Sequence, residues 1–158
     1  MIVRMSALKE KLETDLVAAI KSRDPVRTRT LRIALTAIRN EEVAGERPRE
    51  LSDDEVVTVL TREAKKRREA AAAFEGAGRD AQAEAERSEG AVLEEYLPAQ
   101  LTDEELGALV AETIAETGAT GPRAIGQVMK AVNPKVAGRA EGGRVAAEVK
   151  RQLAASGG

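Results

Sequence analysis

Apolar side chains recur every three or four residues along most of the chain, the spacing that places them on one face of an α-helix. The first series consists of Leu8, Leu12, Leu16, Ala19 and Ile20. Ser6 precedes this series at the N-cap position, where its hydroxyl can accept from a free backbone N–H of the first turn. The pattern therefore predicts a helix that begins after Ser6.

Two further helices are predicted from their start signals. Asp24 and Pro25 are typical of an N-cap and of the first residue of a helix. This second helix fades near Gly45. The segment Ser52-Asp53-Asp54-Glu55 has the spacing of a capping box and predicts the start of a third helix, which stops before Gly76.

A fourth helix, rich in Ala and Glu, is predicted from Arg79 to about Glu95. It ends at Leu97-Pro98, because a proline disfavours the helical conformation in the residue before it. Residues 98–101 are then a candidate linker between two domains.

Three helices are predicted after the linker. Thr102-Asp103-Glu104-Glu105 is a second capping box, and Gly118 is expected to close the helix that it opens. Pro122 starts a short helix. After a loop predicted over residues 134–143, a last helix carries Val145, Val149 and Leu153. The predicted fold is all-α, with an N-terminal four-helix domain (residues 1–97) and a C-terminal three-helix domain (residues 102–158).

Composition narrows the chemistry of this 158-residue chain, which contains no histidine and no cysteine. The lack of histidine excludes an imidazole general base, a Ser-His-Asp triad and imidazole metal sites. The lack of cysteine excludes disulfides, thiolate nucleophiles and zinc–sulfur sites. The acidic pairs Asp53-Asp54 and Glu94-Glu95 belong to helix ends, and neighbouring helical residues diverge by about 100°. We therefore expect no metal site, no cofactor and no catalytic residue.

Targeting signals are also absent from the sequence. No apolar run approaches the length that spans a bilayer, and Met1–Ser6 has neither a signal-peptide core nor a cleavage site. We expect a cytoplasmic protein that does not contact membranes.

Charge is distributed unevenly along the predicted C-terminal domain, although the net charge of the chain is only −2. Residues 123–151 contain seven basic and two acidic side chains, a local net charge of +5. The candidate nucleic-acid-binding residues in this stretch are Lys130, Lys135, Arg139, Arg144 and Lys150. Gly142-Gly143 could add free backbone N–H groups to a phosphate-binding site. The alternative is a solvated polar face with an ordinary turn.

A second candidate row for phosphate contact lies on the predicted second helix, where Arg29, Arg32 and Arg39 share one side. The alternative for this row is pairing with acidic helices of the same protein. The run from Lys65 to Arg68 points around most of its helix, so we expect salt-bridge lacing there. Phe74 and Tyr96 are expected in the core. Because no stacking platform remains, an RNA contact should involve backbone and shape.

The order and spacing of several motifs resemble the GatB/YqeY family over about 130 positions. The resemblance rests on Thr30-Leu31-Arg32, Leu35…Ile38-Arg39-Asn40, Leu51–Val56, Glu63–Glu69, Phe74…Ala77-Gly78-Arg79, Leu93–Pro98…Gln100-Leu101, Gly126–Lys130, Pro134–Gly142 and Val145…Val149-Lys150. Ala70 stands where the family often has Ser, Gln82 where it often has Leu, and Glu141 where it usually has Asp. The match is similar to a free-standing member of the family, and its C-terminal part resembles the tail of an amidotransferase B subunit.

This resemblance implies an all-α fold and a context of tRNA and glutamine-dependent amidation. In the amidotransferase that converts Glu-tRNA to Gln-tRNA, the tail is a helical domain that touches the body of the tRNA while catalysis occurs elsewhere. The family-level activity is that of a carbon–nitrogen ligase with glutamine as amido-nitrogen donor. Such chemistry uses a Ser/Lys-type partner subunit and ATP with Mg²⁺, and this chain has no Gly-x4-Gly-Lys-Ser/Thr loop for a nucleotide.

Three functional hypotheses follow. The first is a non-catalytic module that binds tRNA or assists an aminoacyl-tRNA or amidotransferase protein. The second is a protein-interaction adaptor that does not bind RNA. The third, and the one we favour least, is a stand-alone glutamine-dependent amidotransferase.

Overall fold

The computed structural model describes residues 6–156, in which every regular element is a helix and no strand occurs, so the predicted all-α fold is confirmed. The α-helices are α1 (Ala7–Ser22), α2 (Pro25–Glu42), α3 (Asp53–Gly76), α4 (Asp80–Glu94), α5 (Asp103–Thr117), α6 (Ile125–Val136) and α7 (Gly142–Ser156). A short 3₁₀ helix, Pro122–Ala124, precedes α6.

The chain divides into two compact units, one that ends at Leu97 and one that starts at Pro98. The first unit contains α1–α4, and its core consists mainly of Leu12, Leu31, Leu35, Ile38, Val56, Leu60, Leu93 and Tyr96. The second contains α5–α7, and its core consists mainly of Leu106, Val110, Val128, Val132, Val145, Val149 and Leu153. Each unit therefore buries an apolar cluster of its own.

The helix starts that the sequence indicates are made by the expected side chains. The Ser6 hydroxyl accepts from the Lys9 N–H at 3.0 Å, and the Asp24 carboxylate accepts from the Arg27 N–H at 3.0 Å. Complete capping boxes form at the starts of α3 and α5, where both the hydroxyl and the later glutamate bind backbone N–H groups. These contacts satisfy donors that have no partner within the helix.

The prediction of a loop over residues 134–143 is wrong at both ends, because the loop in the structure is shorter. Helix α6 continues through Pro134 to Val136, and α7 already begins at Gly142. A proline removes a hydrogen bond from a helix interior, but continuing the helix buries Val136, which is 4% exposed. The chain then turns through two residues in the left-handed region, Ala137 at φ 46° and Gly138 at φ 79°.

The two aromatic residues differ in their surroundings. Tyr96 is buried in the core of the first unit, and its hydroxyl donates to Asp15 at 2.6 Å. Phe74 is only half-buried and lies outside that core, so the prediction that it is a core residue is wrong. Phe74 lies close to the end of α3, where fewer neighbouring helices are available to cover it.

Candidate nucleic-acid interface

Helix α5 carries five of the seven acidic side chains of the second unit and neutralises part of the predicted basic surface. Lys135 on α6 forms an ion pair with Glu116 of α5. The pKa of Glu105 is lowered chiefly by its hydrogen bonds to the backbone N–H and the hydroxyl of Thr102, and the charge of Arg139 adds a small contribution. Opposite charges therefore face each other where α6 and the turn after it meet α5.

Arg139 caps the C-terminus of α6. Its guanidinium donates to the carbonyl of Lys135 at 2.8 Å and to that of Val136 at 3.3 Å. Its own carbonyl accepts from the Leu101 N–H at 2.7 Å. A cation at a helix C-terminus also interacts favourably with the helix dipole. Arg139 thus already holds the end of α6 with two of its guanidinium N–H groups.

Arg144, near the start of α7, binds residues at the start of α5. Its guanidinium donates to the Leu101 carbonyl at 3.0 Å and to the Asp103 carboxylate at 2.9 Å. The Asp103 side chain is 96% exposed. An ion pair this exposed contributes little free energy, so Arg144 can exchange Asp103 for another anion at low cost.

Three cations of the second unit, Arg123, Lys130 and Lys150, are exposed and have no ion-pair partner among residues 6–156. We call them the unpaired basic set. Lys130 is two residues from both Val128 and Val132, hence about 160° around α6 from the buried stripe. It therefore points away from the core.

Lys150 lies on the side of α7 that is turned away from α5. Gln152 of α7 donates to the Gly107 carbonyl of α5 at 2.8 Å, and Glu148 accepts from Gln152. Lys150 is two residues from each, about 160° around the helix axis. Arg123 belongs to the 3₁₀ helix, which contacts both α6 and α7. The unpaired basic set thus lies on α6, α7 and the 3₁₀ helix, with Lys130 turned away from the core of the unit and Lys150 turned away from α5.

The predicted arginine row on α2 divides into paired and unpaired members. Arg29 donates to Glu89 of α4 at 2.7 Å, and Glu89 also meets Arg67 of α3 at 3.3 Å. Arg29 is thus paired with an acidic helix of the same protein, which is the alternative to phosphate contact stated for this row. Arg32 and Arg39 are exposed and lack an ion-pair partner within the described part of the chain.

The charged run on α3 forms the salt-bridge lacing that its sequence predicts. Lys66 and Arg67 reach Glu63 at 3.2 and 3.5 Å, and Lys65 reaches Glu69 at 3.9 Å. Arg67 is mostly buried and binds α4 as well, so this run ties α3 to α4 rather than offering a basic surface.

A groove beside the α1–α2 turn is a feature that sequence reasoning missed. It has a volume of about 640 Å³, and its lining includes Ile20, Arg23, Pro25, Arg32 and Ile33. The sequence holds no signal for it, because periodicity marks Ile20 as a core position of α1 and only the structure shows that it is 47% exposed.

Other kinds of site are not seen in the described residues. Among residues 6–156, no group of three or more acidic side chains could hold a metal ion. Within the same range, no helix has the length and apolarity needed to cross a bilayer.

Comparison with known proteins gives one family. The model of the family described as Yqey-like protein matches residues 9–153, which is nearly the whole chain. No curated protein matches the chain.

Proposed function

The chain belongs to the Yqey-like protein family, and from this premise we propose that it is a non-catalytic module that binds tRNA or assists a tRNA amidotransferase. The two compact units would act as two domains, and the second would supply the tRNA contact. We propose the cytoplasm as the compartment in which this function on tRNA would be carried out. The chemistry of amidation, including glutamine hydrolysis, would belong to a partner.

The observation that carries this proposal is the unpaired basic set. Arg123, Lys130 and Lys150 are exposed cations without a carboxylate partner in the described residues. Desolvating such a cation against a phosphate breaks no internal ion pair, so the full attraction is available for binding. The resemblance of residues 126–150 to an amidotransferase tail, an expectation from the sequence, also implies a tRNA contact by the second unit.

The remaining candidates of the second unit would contribute less. Lys135 and Arg144 must first leave Glu116 and Asp103, and Arg139 must leave the α6 carbonyls. Of these, Arg144 is the best supporting contact, because Asp103 is fully hydrated and competes weakly for the guanidinium. The proposed order of importance is therefore the unpaired basic set first and Arg144 second.

Binding through these side chains would be electrostatic and would read little sequence. Lysine and arginine contacts to phosphates position a protein on nucleic acid without distinguishing bases. Phe74 is half-buried and Tyr96 is buried, so neither offers a stacking surface of the kind that reads unpaired bases. The preference for tRNA would come from the shape of its folded body.

The experiment is an amide NMR titration of the full chain with tRNA at low salt. We expect shifts or broadening concentrated in residues 123–151. A triple variant, Arg123→Gln, Lys130→Gln and Lys150→Gln, should reduce them strongly. A control with the same charge change in the first unit, Lys21→Gln, Arg47→Gln and Arg79→Gln, should leave them in place. An unperturbed second unit with tRNA in excess would refute the proposal.

A further inference from the structure

The groove beside the α1–α2 turn combines apolar walls with arginines. Ile20, Pro25 and Ile33 supply apolar surface, and Arg23 and Arg32 lie among them. The volume of about 640 Å³ lies within the range of ligand-binding clefts, roughly 300–1,000 Å³. Such a combination suits a ligand that is itself partly apolar and partly anionic.

The two arginines are available to that ligand. Neither Arg23 nor Arg32 has an ion-pair partner within residues 6–156. Asp24 also lines the groove, and its carboxylate accepts from the Arg27 N–H and lies 3.9 Å from the Arg27 guanidinium. Arg29, which also lines the groove, is held by Glu89. The lining therefore carries three arginines against one carboxylate, a net charge of +2, and two of the arginines have no ion-pair partner among the described residues.

The groove is elongated along α2. Arg32 and Ile33 also line a second, adjoining groove of about 300 Å³, which continues past Thr36 and Ala37 to Asn40. From Pro25 to Asn40 the helix rises by about 22 Å, at 1.5 Å per residue. This length matches a helix of about 15 residues and exceeds most small molecules.

We propose that this groove is a docking site for an acidic amphipathic segment of a partner protein. Leucine- or isoleucine-like side chains of the segment would cover Ile20 and Ile33. Carboxylates on the flanks of the segment would pair with Arg23 and Arg32. A helix laid into an apolar groove with anchors at helical spacing is a common mode of peptide recognition.

The apolar walls favour a polypeptide over RNA in this groove. A phosphate backbone would satisfy the two arginines but would leave Ile20 and Ile33 facing polar sugar and phosphate. The groove has no aromatic residue on which a base could stack. The site is separate in residues from the unpaired basic set of the second unit, so either proposal can fail without the other.

The test is a displayed library of random 16-residue peptides selected on the full chain. We expect the enriched peptides to alternate carboxylates with large apolar residues at helical spacing. Synthetic copies of them should shift the amides of residues 20–33 in the labelled protein. The absence of any enriched binder, or enrichment without acidic residues, would overturn the proposal.

Matched variants on α2 locate the contact. Arg32→Glu and Arg39→Glu make the same charge change on exposed, unpaired positions of one helix, but only Arg32 lines the groove. Arg32→Glu should weaken the selected peptides at least about tenfold, since a charge-assisted contact is lost. Arg39→Glu should change affinity less than about threefold. Ile20→Ser should weaken binding about fivefold, because roughly half of an isoleucine side chain is covered on docking.

Two other occupants of the groove would also overturn the proposal. If tRNA displaces the selected peptides and shifts residues 20–33, the groove is a nucleic-acid site. If the protein sediments as a dimer that Arg32→Glu dissociates, the groove holds a second copy of the chain. Equal loss of peptide binding in Arg32→Glu and Arg39→Glu would show general attraction rather than docking.

Discussion

Replacing Lys9 by methionine removes the cation from a buried ion pair that joins α1 to α2. The Lys9 ammonium lies 3.1 and 2.9 Å from the two carboxylate oxygens of Glu42 and 3.6 Å from Glu50. The side chains of Lys9 and Glu42 are only 7% and 11% exposed. The pair connects the ends of the α1–α2 hairpin that lie away from the turn and its groove.

Methionine retains most of the lysine stem, so the variant chiefly removes charge. It leaves Glu42 buried without a cation, and breaking a buried pair in this way costs about 3–5 kcal/mol. The double variant Lys9→Met/Glu42→Leu replaces both charges by apolar groups and should recover most of that loss, to within about 1 kcal/mol of the parent.

Urea unfolding followed by circular dichroism at pH 7 measures these differences. Burial by itself lowers the pKa of Lys9, but the hydrogen bond and charge of Glu42 outweigh it and raise the pKa above its usual 10.5. The contribution of Lys9 is therefore fully present below about pH 10 and is lost as the pH rises through the raised value. A cost below about 1 kcal/mol for Lys9→Met, or a double variant no more stable than the single one, would refute this reasoning.

Three further predictions concern stability. Gly126→Ala should stabilise the second unit by about 1 kcal/mol in urea, because the glycine is helical and an added Cβ meets nothing within 4 Å. Tyr96→Phe should lower the free energy of unfolding by about 1–2 kcal/mol, because the hydrogen bond to Asp15 is lost. That hydrogen bond lowers the pKa of Asp15, so the difference between Tyr96→Phe and the parent should shrink as the pH falls below 3.8. Ser52→Ala and Thr102→Ala should each cost about 1 kcal/mol, and calorimetry should show that each lowers a different transition if the units unfold independently.

Helix starts could be predicted from the sequence because the contacts that make them are local. Ser52 and Thr102 bind groups only three residues away, so residue type and spacing suffice. The end of α6 could not be predicted in the same way. Proline at position 134 argues for a break, and only the burial of Val136 against the other helices of its unit shows why the helix continues.

The candidate site could be predicted only in part, because side-chain pairing depends on tertiary packing. Helical spacing placed Arg29 and Arg32 on one side of α2, but it could not show that Glu89, 60 residues away, meets only the first of them. Likewise, the pairing of Lys135 with Glu116 depends on how α6 is set against α5. The sequence predicted a basic stretch, and the fold decides which of its charges stay unpaired.

The groove beside the α1–α2 turn could not be predicted at all by periodicity. A period of three and four marks Ile20 as a core position of α1, yet 47% of it is exposed. Whether the last apolar residue of a helix is covered depends on where the next helix turns back. Here Arg23, in the left-handed region at φ 58°, ends α1 and turns the chain into α2.

The affinity for tRNA as a function of salt concentration tests the central claim most directly. Three phosphate contacts by Arg123, Lys130 and Lys150 give a slope of log affinity against log salt of about −2.7. Affinity should then fall about 40-fold between 50 and 200 mM salt. The triple glutamine variant of these residues should bind weakly with a much shallower slope, while the matched first-unit control keeps the parent slope. Equal slopes for the parent and the triple variant would contradict the account.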